Sequence, residues 1–397
     1  MNQNVKRLYQ IAQKKSRNII GLMSGTSLDG LDVALCNISG HGNNTTVKVE
    51  KFITWPYARG YREKLLEIIS KKNVDLENLC LLHELTGLLH GDIINKCLKK
   101  WKTDALHVDL IASHGQTIYH APRHLHKQKD LPNATLQIGD ADHIAVQTGI
   151  ITLSDFRQKH IAAGGEGAPL AAYGDLLLFK ESDRDVFLLN IGGIANFTFI
   201  PAKGNVLSTD TGPGNTLMDH WVQMNFTGFT YDDNAIIAKK GTIHDGLLHE
   251  LKSHPFFSLP FPKTTGLELF NRTYLKNAIS RTGKNKIPIY DVMATLNRFT
   301  AETIVQSVKK YIQLSHKPIM YVSGGGMHNP MLMDFIEKEI SPVKMVSTTQ
   351  KGIEPDAKEA VLFAVLANET VAGQPGLFAK HLKAMPAVSM GKISFPT

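Results

Sequence analysis

A chain of 397 residues, 43% hydrophobic and 20% charged, has enough apolar side chains for two sizeable cores and the make-up of a globular protein. Its longest apolar runs, such as residues 185–191, break off well short of the roughly 20 residues that a membrane span needs, so no membrane partner is expected. The net charge of +8 is spread among acids except in residues 1–17 and 123–129, and that second basic loop lacks the interleaved aromatics of a nucleic-acid surface, so no nucleic acid is expected either. Residues 1–17 lack the apolar core and cleavage site of a secretory signal, which predicts a cytoplasmic location. Cys36, Cys80 and Cys97 have neither metal-ligand spacing nor an even count, and read as free buried thiols.

In chain order, periodicity predicts strands over 19–23, 31–38 and 46–55 as an antiparallel meander, then helices over 62–69 and 76–100. A strand over 108–112 runs into Ser113-His114-Gly115-Gln116-Thr117, and strands over 136–138 and 150–153 end in polar clusters of their own. Loops at strand ends are where sites are built. A helix over 169–180 leads to a second apolar hairpin, 186–191 with 195–200, turning at Gly192-Gly193. Beyond it come Asp210-Thr211-Gly212-Pro213-Gly214-Asn215, a rigid turn with Asn215 placed to cap a helix over 217–225, and a helix over 291–301. A strand over 318–322, Gly324-Gly325-Gly326, a helix over 331–337 and an apolar helix over 356–368 complete the series.

The first turn carries the clearest chemistry. Small, polar and acidic residues lie between two apolar runs, so Gly25, Thr26, Ser27, Leu28, Gly30 and Leu31 offer backbone N–H groups and hydroxyls suited to phosphate. Asp29 and Asp32 add carboxylates suited to hydrated Mg²⁺. The Gly192-Gly193 hairpin echoes this arrangement, and a phosphate hairpin opening each of two similar halves puts a nucleotide in a cleft between them. Residues 324–326, strand then glycines then helix start, allow close backbone approach to a ligand. His83-Glu84 with His90 lacks the four-residue spacing of a zinc helix, and His120, His124 and His126 read as a basic surface loop.

Together these segments closely resemble the anhydro-N-acetylmuramic acid kinases of the sugar kinase, Hsp70 and actin superfamily. The motifs are residues 21–32, 113–117, Leu136-Gln-Ile-Gly-Asp140, Asp155-Phe-Arg157 with 162–170, Asn190-Ile-Gly-Gly-Ile-Ala-Asn196, 210–215, and 324–326 with Asn329. The resemblance implies an α/β, two-domain RNase H-like and actin-like ATPase fold with ATP and sugar in the interdomain cleft. Its first domain would comprise 17–160 with 357–397 and its second 161–356. It also implies a cytoplasmic, dimeric enzyme of peptidoglycan recycling that uses ATP and Mg²⁺ to open a 1,6-anhydro sugar and phosphorylate its O6. ATP is expected at residues 25–32, Gly192, Gly193, Asn196 and 324–326, with the metal at Asp29 and Asp210. The sugar is expected at His114, Gln116, Thr117, Arg157, Asp210, Thr211, Gly212, Gly214 and Asn215. Arg157 has the fork to grip a carboxylate, with a salt bridge to Asp155 as the plainer alternative.

Two departures stand out. The family's usual Asp-Phe-Arg-x-x-Asp ends here in His160, at the position of the base that activates water, while the usual Gly-Gly-Gln reads Gly164-Gly165-Glu166 and returns a carboxylate nearby. Catalytic candidates are therefore His160, Glu166 and Asp155. In the helix over 291–301, Met293 and Arg298 stand where relatives usually carry Gln and Glu, and Arg298 brings a positive charge suited to phosphate. The competing readings are a kinase for a free sugar hydroxyl and an ATP-dependent sugar sensor without turnover.

Overall fold

The structure, a computed structural model, describes residues 1–397 apart from 26–27, 169, 284–285, 375–385 and 387. The chain divides into two compact units, Met1–Leu178 with Lys351–Thr397, and Phe179–Gln350. The first unit thus runs past the expected boundary at 160. The helix Ala171–Phe179 explains the difference: a Cβ on Gly174 would overlap the Leu362 side chain, and Asp175 meets Lys358 at 2.8 Å.

In chain order the strands are β1 (Ser16–Ser24), β2 (Gly30–Ser39), β3 (Thr46–Pro56), β4 (Leu110–Ala121), β5 (Ala134–Ile138), β6 (Thr152–Ser154), β7 (Val186–Ile191), β8 (Ile194–Ile200), β9 (Leu207–Pro213), β10 (Ile319–Ser323), β11 (Lys344–Ser347) and β12 (Lys392–Ser394). Among the described residues the first unit's sheet is ordered β12-β6-β4-β1-β2-β3, with β5 on β4, and the second unit's is β11-β10-β7-β8-β9. In each, three antiparallel strands form a meander and two further strands run parallel beside the first. The echo between the two halves is therefore one connectivity used twice.

The meander forms because β1 and β2 are buried along most of their length, whereas β3 alternates and lies at the edge. The helix Leu76–Trp101 begins where the Asp75 carboxylate accepts from the Asn78 amide at 2.7 Å, and it stops where Lys102 turns left-handed at φ 54°. The helix Lys358–Ala372 is buried on nearly every side and packs on β1, where a Cβ on Gly21 would overlap the Ala360 carbonyl. In the second unit the helix Ile289–Ile312 covers the sheet with Ile304, Val305 and Val308.

Two expectations are corrected. Asp210, Thr211 and Gly212 belong to strand β9, paired with β8, rather than to a free-standing turn. Cys36 and Cys97 are buried, but Cys80 is exposed on its helix. No helix among the described residues is long and apolar enough to cross a membrane.

Candidate active site

β1 and β2 pair as far as Ser24 with Leu31, which sets the first turn at the sheet's end. Thr26 and Ser27 lie outside the described residues. Leu28 and Leu31 are buried and anchor the turn in the core, which leaves only their backbone groups to face a ligand. Gly30 leaves no room for a Cβ against the Trp55 carbonyl, and its amide donates to Asp29 Oδ1 at 3.1 Å. Asp32 accepts from Thr54 Oγ1 at 2.6 Å. Burial, with Asp29, Glu359 and Asp356 adding negative charge, raises the Asp32 carboxyl to about 6. Asp32 thus stands among acidic neighbours in a setting that favours a cation.

Gln116, expected to meet the sugar, is fully buried and works on the turn instead. Its Oε1 accepts from Ser24 Oγ at 2.5 Å and its Nε2 donates to the Gly25 carbonyl at 3.3 Å. Thr117 Oγ1 accepts from Gln137 Nε2 at 3.2 Å.

His114 and Arg157 form a unit. The His114 Nδ1–H donates to the Gly115 carbonyl, and Nε2 accepts from Arg157 Nε, each at 2.9 Å. Burial and the guanidinium beside it drive the His114 pKa well below the usual imidazole range, so it is a neutral acceptor. Arg157 Nη1 also donates to the Gly167 carbonyl at 2.9 Å. The Asp155 alternative is not realised, because the Asp155 carboxylate pairs with Lys392 at 3.0 Å. Asp155 stands in the left-handed region at φ 55° and lines a cavity of about 300 Å³ with Ser113, His114, Asp140 and Lys392. Ser113 Oγ and Gln137 Oε1, both buried and without a protein partner, also border it.

His160 is buried, and its Nδ1 accepts from the Gly167 amide at 2.9 Å. A neutral imidazole that accepts at Nδ1 carries its proton at Nε2. That Nε2 is buried with no protein acceptor, and burial next to Arg157 lowers the pKa. Nδ1 is thus committed to the Gly167 amide, while Nε2 carries the ring's proton without a partner. Gly165 lies flat on the ring, where a Cβ would overlap it. Glu166 is exposed and pairs with His124 Nδ1 at 3.2 Å rather than with His160.

In the second unit three glycine segments pack together. The Gly192 carbonyl accepts from the Asn215 amide at 2.8 Å, and the Gly193 carbonyl from the amides of Gly214 at 2.9 Å and Thr216 at 3.2 Å. A Cβ on Gly214 would overlap the Gly192 carbonyl. Gly324 is left-handed at φ 84°, and a Cβ there would stand 2.7 Å from Asn190 Oδ1 and from the Ile191 carbonyl. Gly325 and Gly326 lie against Asn215. Asn215 does not cap its helix, Thr216–Asn225; its amide reaches toward the Ile191 carbonyl at 3.5 Å. Thr211 Oγ1 donates to the Ala195 carbonyl, and Asn196 stands opposite Asp210. The Asp210 carboxylate accepts from the Thr265 amide at 2.8 Å, while burial, with Glu268 near, raises its pKa to about 6. Arg298 is stacked on Phe335, 3.8 Å from the ring centroid.

Tyr57, Glu359 and Lys392 were not singled out by motif, and His90 was set aside for lacking zinc-helix spacing. Each meets the site from a distant part of the chain, and no local spacing marks it.

Two sheets of one connectivity, each with a glycine-bearing turn after its leading strand, define an actin-like ATPase fold. The chain belongs to the anhydro-N-acetylmuramic acid kinase family, whose model matches residues 17–396. It is 51% identical to the anhydro-N-acetylmuramic acid kinase of Pseudoalteromonas atlantica, with 100% of both chains covered. It is 50% identical to that of Pseudoalteromonas translucida, again over 100% of both. It is 38% identical to that of Caldanaerobacter subterraneus, over 98% of this chain and 99% of the relative. The chain is accordingly a sugar kinase, transferring phosphate from ATP to an alcohol group.

Proposed function

We propose that this chain converts 1,6-anhydro-N-acetylmuramic acid, ATP and water into N-acetylmuramic acid 6-phosphate and ADP, in the recycling of cell-wall amino sugars. The end-to-end match, 51% identity over 100% of both chains, carries the reading. The water's oxygen bonds to C1 as its proton leaves, the C1–O6 bond breaks with its electron pair on O6, and O6 takes the γ-phosphoryl group while the bridging oxygen departs with ADP.

Glu166 is the base in this reading. His160 has an amide proton on one nitrogen and its own proton on the other, whereas the Glu166 carboxylate is exposed and His124 orients it. His160 serves by holding Gly167, and with it the segment that carries Glu166. Arg157, kept in place by His114, is the group for the lactyl carboxylate. Asp155 and Thr117, with Asp210, Thr211, Gly212, Gly214 and Asn215 from the second unit, shape the sugar's surroundings, and Gln116 acts through the first turn. ATP is held by the turn over 25–32, by Gly192, Gly193 and Asn196, and by the glycines over 324–326. Burial is the main cause of the raised Asp32 and Asp210 pKa values, with acidic neighbours adding to it, and hard oxygen donors of this kind fit a divalent cation, with Asp29 and Asp210 to hold Mg²⁺. Bound there, Mg²⁺ supplies charge neutralisation on the phosphates. We place the enzyme in the cytoplasm, where ATP is available, as a homodimer. Leu81, Leu85 and Leu88, exposed at helical spacing on Leu76–Trp101, support the dimer.

The test is ADP release by the purified protein with Mg²⁺-ATP and the anhydro sugar, with the product identified by mass. A sugar heavier by one phosphoryl group and one water is expected. Addition of phosphoryl alone would point to a free-hydroxyl kinase, and no sugar-dependent ADP to a sensor.

A further inference from the structure

Behind the first turn runs a line of four buried polar side chains whose hydrogen-bond directions can be assigned throughout. Ser24 Oγ gives its proton to Gln116 Oε1 at 2.5 Å, so it accepts from Tyr57 at 2.8 Å. The Tyr57 hydroxyl, having donated, accepts from His90 Nε2 at 2.9 Å. At the far end Gln116 Nε2 donates to the Gly25 carbonyl at 3.3 Å. Tyr57 also holds the turn's other side, since its backbone amide donates to the Asp29 carbonyl at 3.1 Å. Ser24, His90 and Gln116 are at most 1% exposed and Tyr57 is 6% exposed, so water cannot replace a lost member. His90 is neutral in this setting, because burial lowers its pKa to about 4.

We infer that Tyr57, just beyond β3, and His90, on the helix Leu76–Trp101, are positioning residues for phosphoryl transfer, clamping both ends of the first turn without touching a ligand. The inference rests on the reading of residues 25–32 as a phosphate turn. Tyr57 is the hinge of the arrangement: one residue ties Ser24 through its hydroxyl and Asp29 through its amide. Tyr61 supplies a matched control. It is buried to a similar degree, its ring lies 4.9 Å from that of Tyr57, and its hydroxyl bonds to Thr86 Oγ1 at 2.9 Å, a branch that does not lead to the turn.

The experiment compares Tyr57→Phe with Tyr61→Phe, reading melting temperature, kcat, and KM for ATP and for sugar separately. Both variants should melt lower by a similar amount. Only Tyr57→Phe should weaken kcat/KM for ATP, by about 5- to 10-fold for the loss of one or two buried hydrogen bonds, with KM for sugar within about two-fold of wild type. Ser24→Ala, a smaller change that breaks the same line, should follow Tyr57→Phe and covers the case in which Tyr57→Phe does not fold. Equal kinetics for the two tyrosine variants would overturn the inference. Asp29→Asn separates the two levels: if it lowers kcat/KM for ATP while Tyr57→Phe and Ser24→Ala do not, the clamp fails and the turn stands. If Asp29→Asn has no effect either, the reading of the turn fails with it.

Discussion

His160 receives the Gly167 amide proton on Nδ1 at 2.9 Å, and its opposite nitrogen is buried with no acceptor. His160 thus acts only as an acceptor, and its proton-bearing Nε2 has no lone pair free to take a proton from water. Glu166→Gln should therefore lower kcat by about 10²- to 10³-fold, the usual worth of a general base, with little change in melting temperature because the side chain is exposed. The double substitution His160→Asp with Glu166→Gln restores the family pattern and should recover most of the loss. Steady-state kinetics of the three proteins decides the matter, and a Glu166→Gln enzyme within a few-fold of wild type would return the role to His160.

Asp32 links stability to pH. Its folded pKa of about 6 lies above the ordinary value of 3.8, so between these limits the folded state holds the proton more tightly and stability falls as pH rises. A shift of about 2 units corresponds to at most about 3 kcal/mol, and partial solvent screening reduces this to about 1–2 kcal/mol. Asp32→Asn should consequently melt above wild type at pH 8, with the advantage gone by about pH 4. Paired thermal melts across that range measure the difference without interference from other acids, which titrate in both proteins.

Lys358 and Asp175 meet at 2.8 Å with side chains 14% and 4% exposed. Lys358→Met leaves the Asp175 carboxylate buried and should cost about 3–5 kcal/mol at neutral pH. Urea unfolding is the check, and a loss below 1 kcal/mol would show that Asp175 finds other compensation.

Gly214 sits so close to the Gly192 carbonyl that Gly214→Ala must push the two turns apart. The expected stability cost is about 1–3 kcal/mol, the range for overpacking. The larger effect should be on ATP, with KM raised about 10-fold or more if the displaced turn is the second phosphate hairpin. Unchanged ATP kinetics in a folded variant would remove Gly192 and Gly193 from the nucleotide site.

The strands that alternate or run apolar, β1 to β3, β7 and β8, were legible because burial on one or both faces leaves a direct trace in sequence. β12 left none: three residues become a strand only because β6 pairs with them. β9 was read as a turn, since Gly212 and Pro213 mask a segment whose extended form is imposed by β8. At the site, the glycine segments were visible because close approach demands glycine at those very positions. The partners of side chains were not visible. Arg157 lies two residues from Asp155 in sequence yet bonds to His114, and Gln116 looks like a ligand residue yet braces Gly25, because both choices depend on which strands become neighbours.

The contact of Gly21 with the Ala360 carbonyl bears on the order in which this protein can be completed. The second unit is one unbroken stretch, Phe179–Gln350, and has all its strands once that stretch has emerged during synthesis. The first unit, though begun earliest, has to wait. Its leading strand lies bare on one side until the helix Lys358–Ala372 arrives, and its edge stays open until β12 follows. A nascent chain halted after residue 350 would thus carry a second unit with all its strands and a first unit whose sheet lacks β12 and the helix that covers β1. The turn after β1 is backed only by a helix that is made after the whole of the second unit.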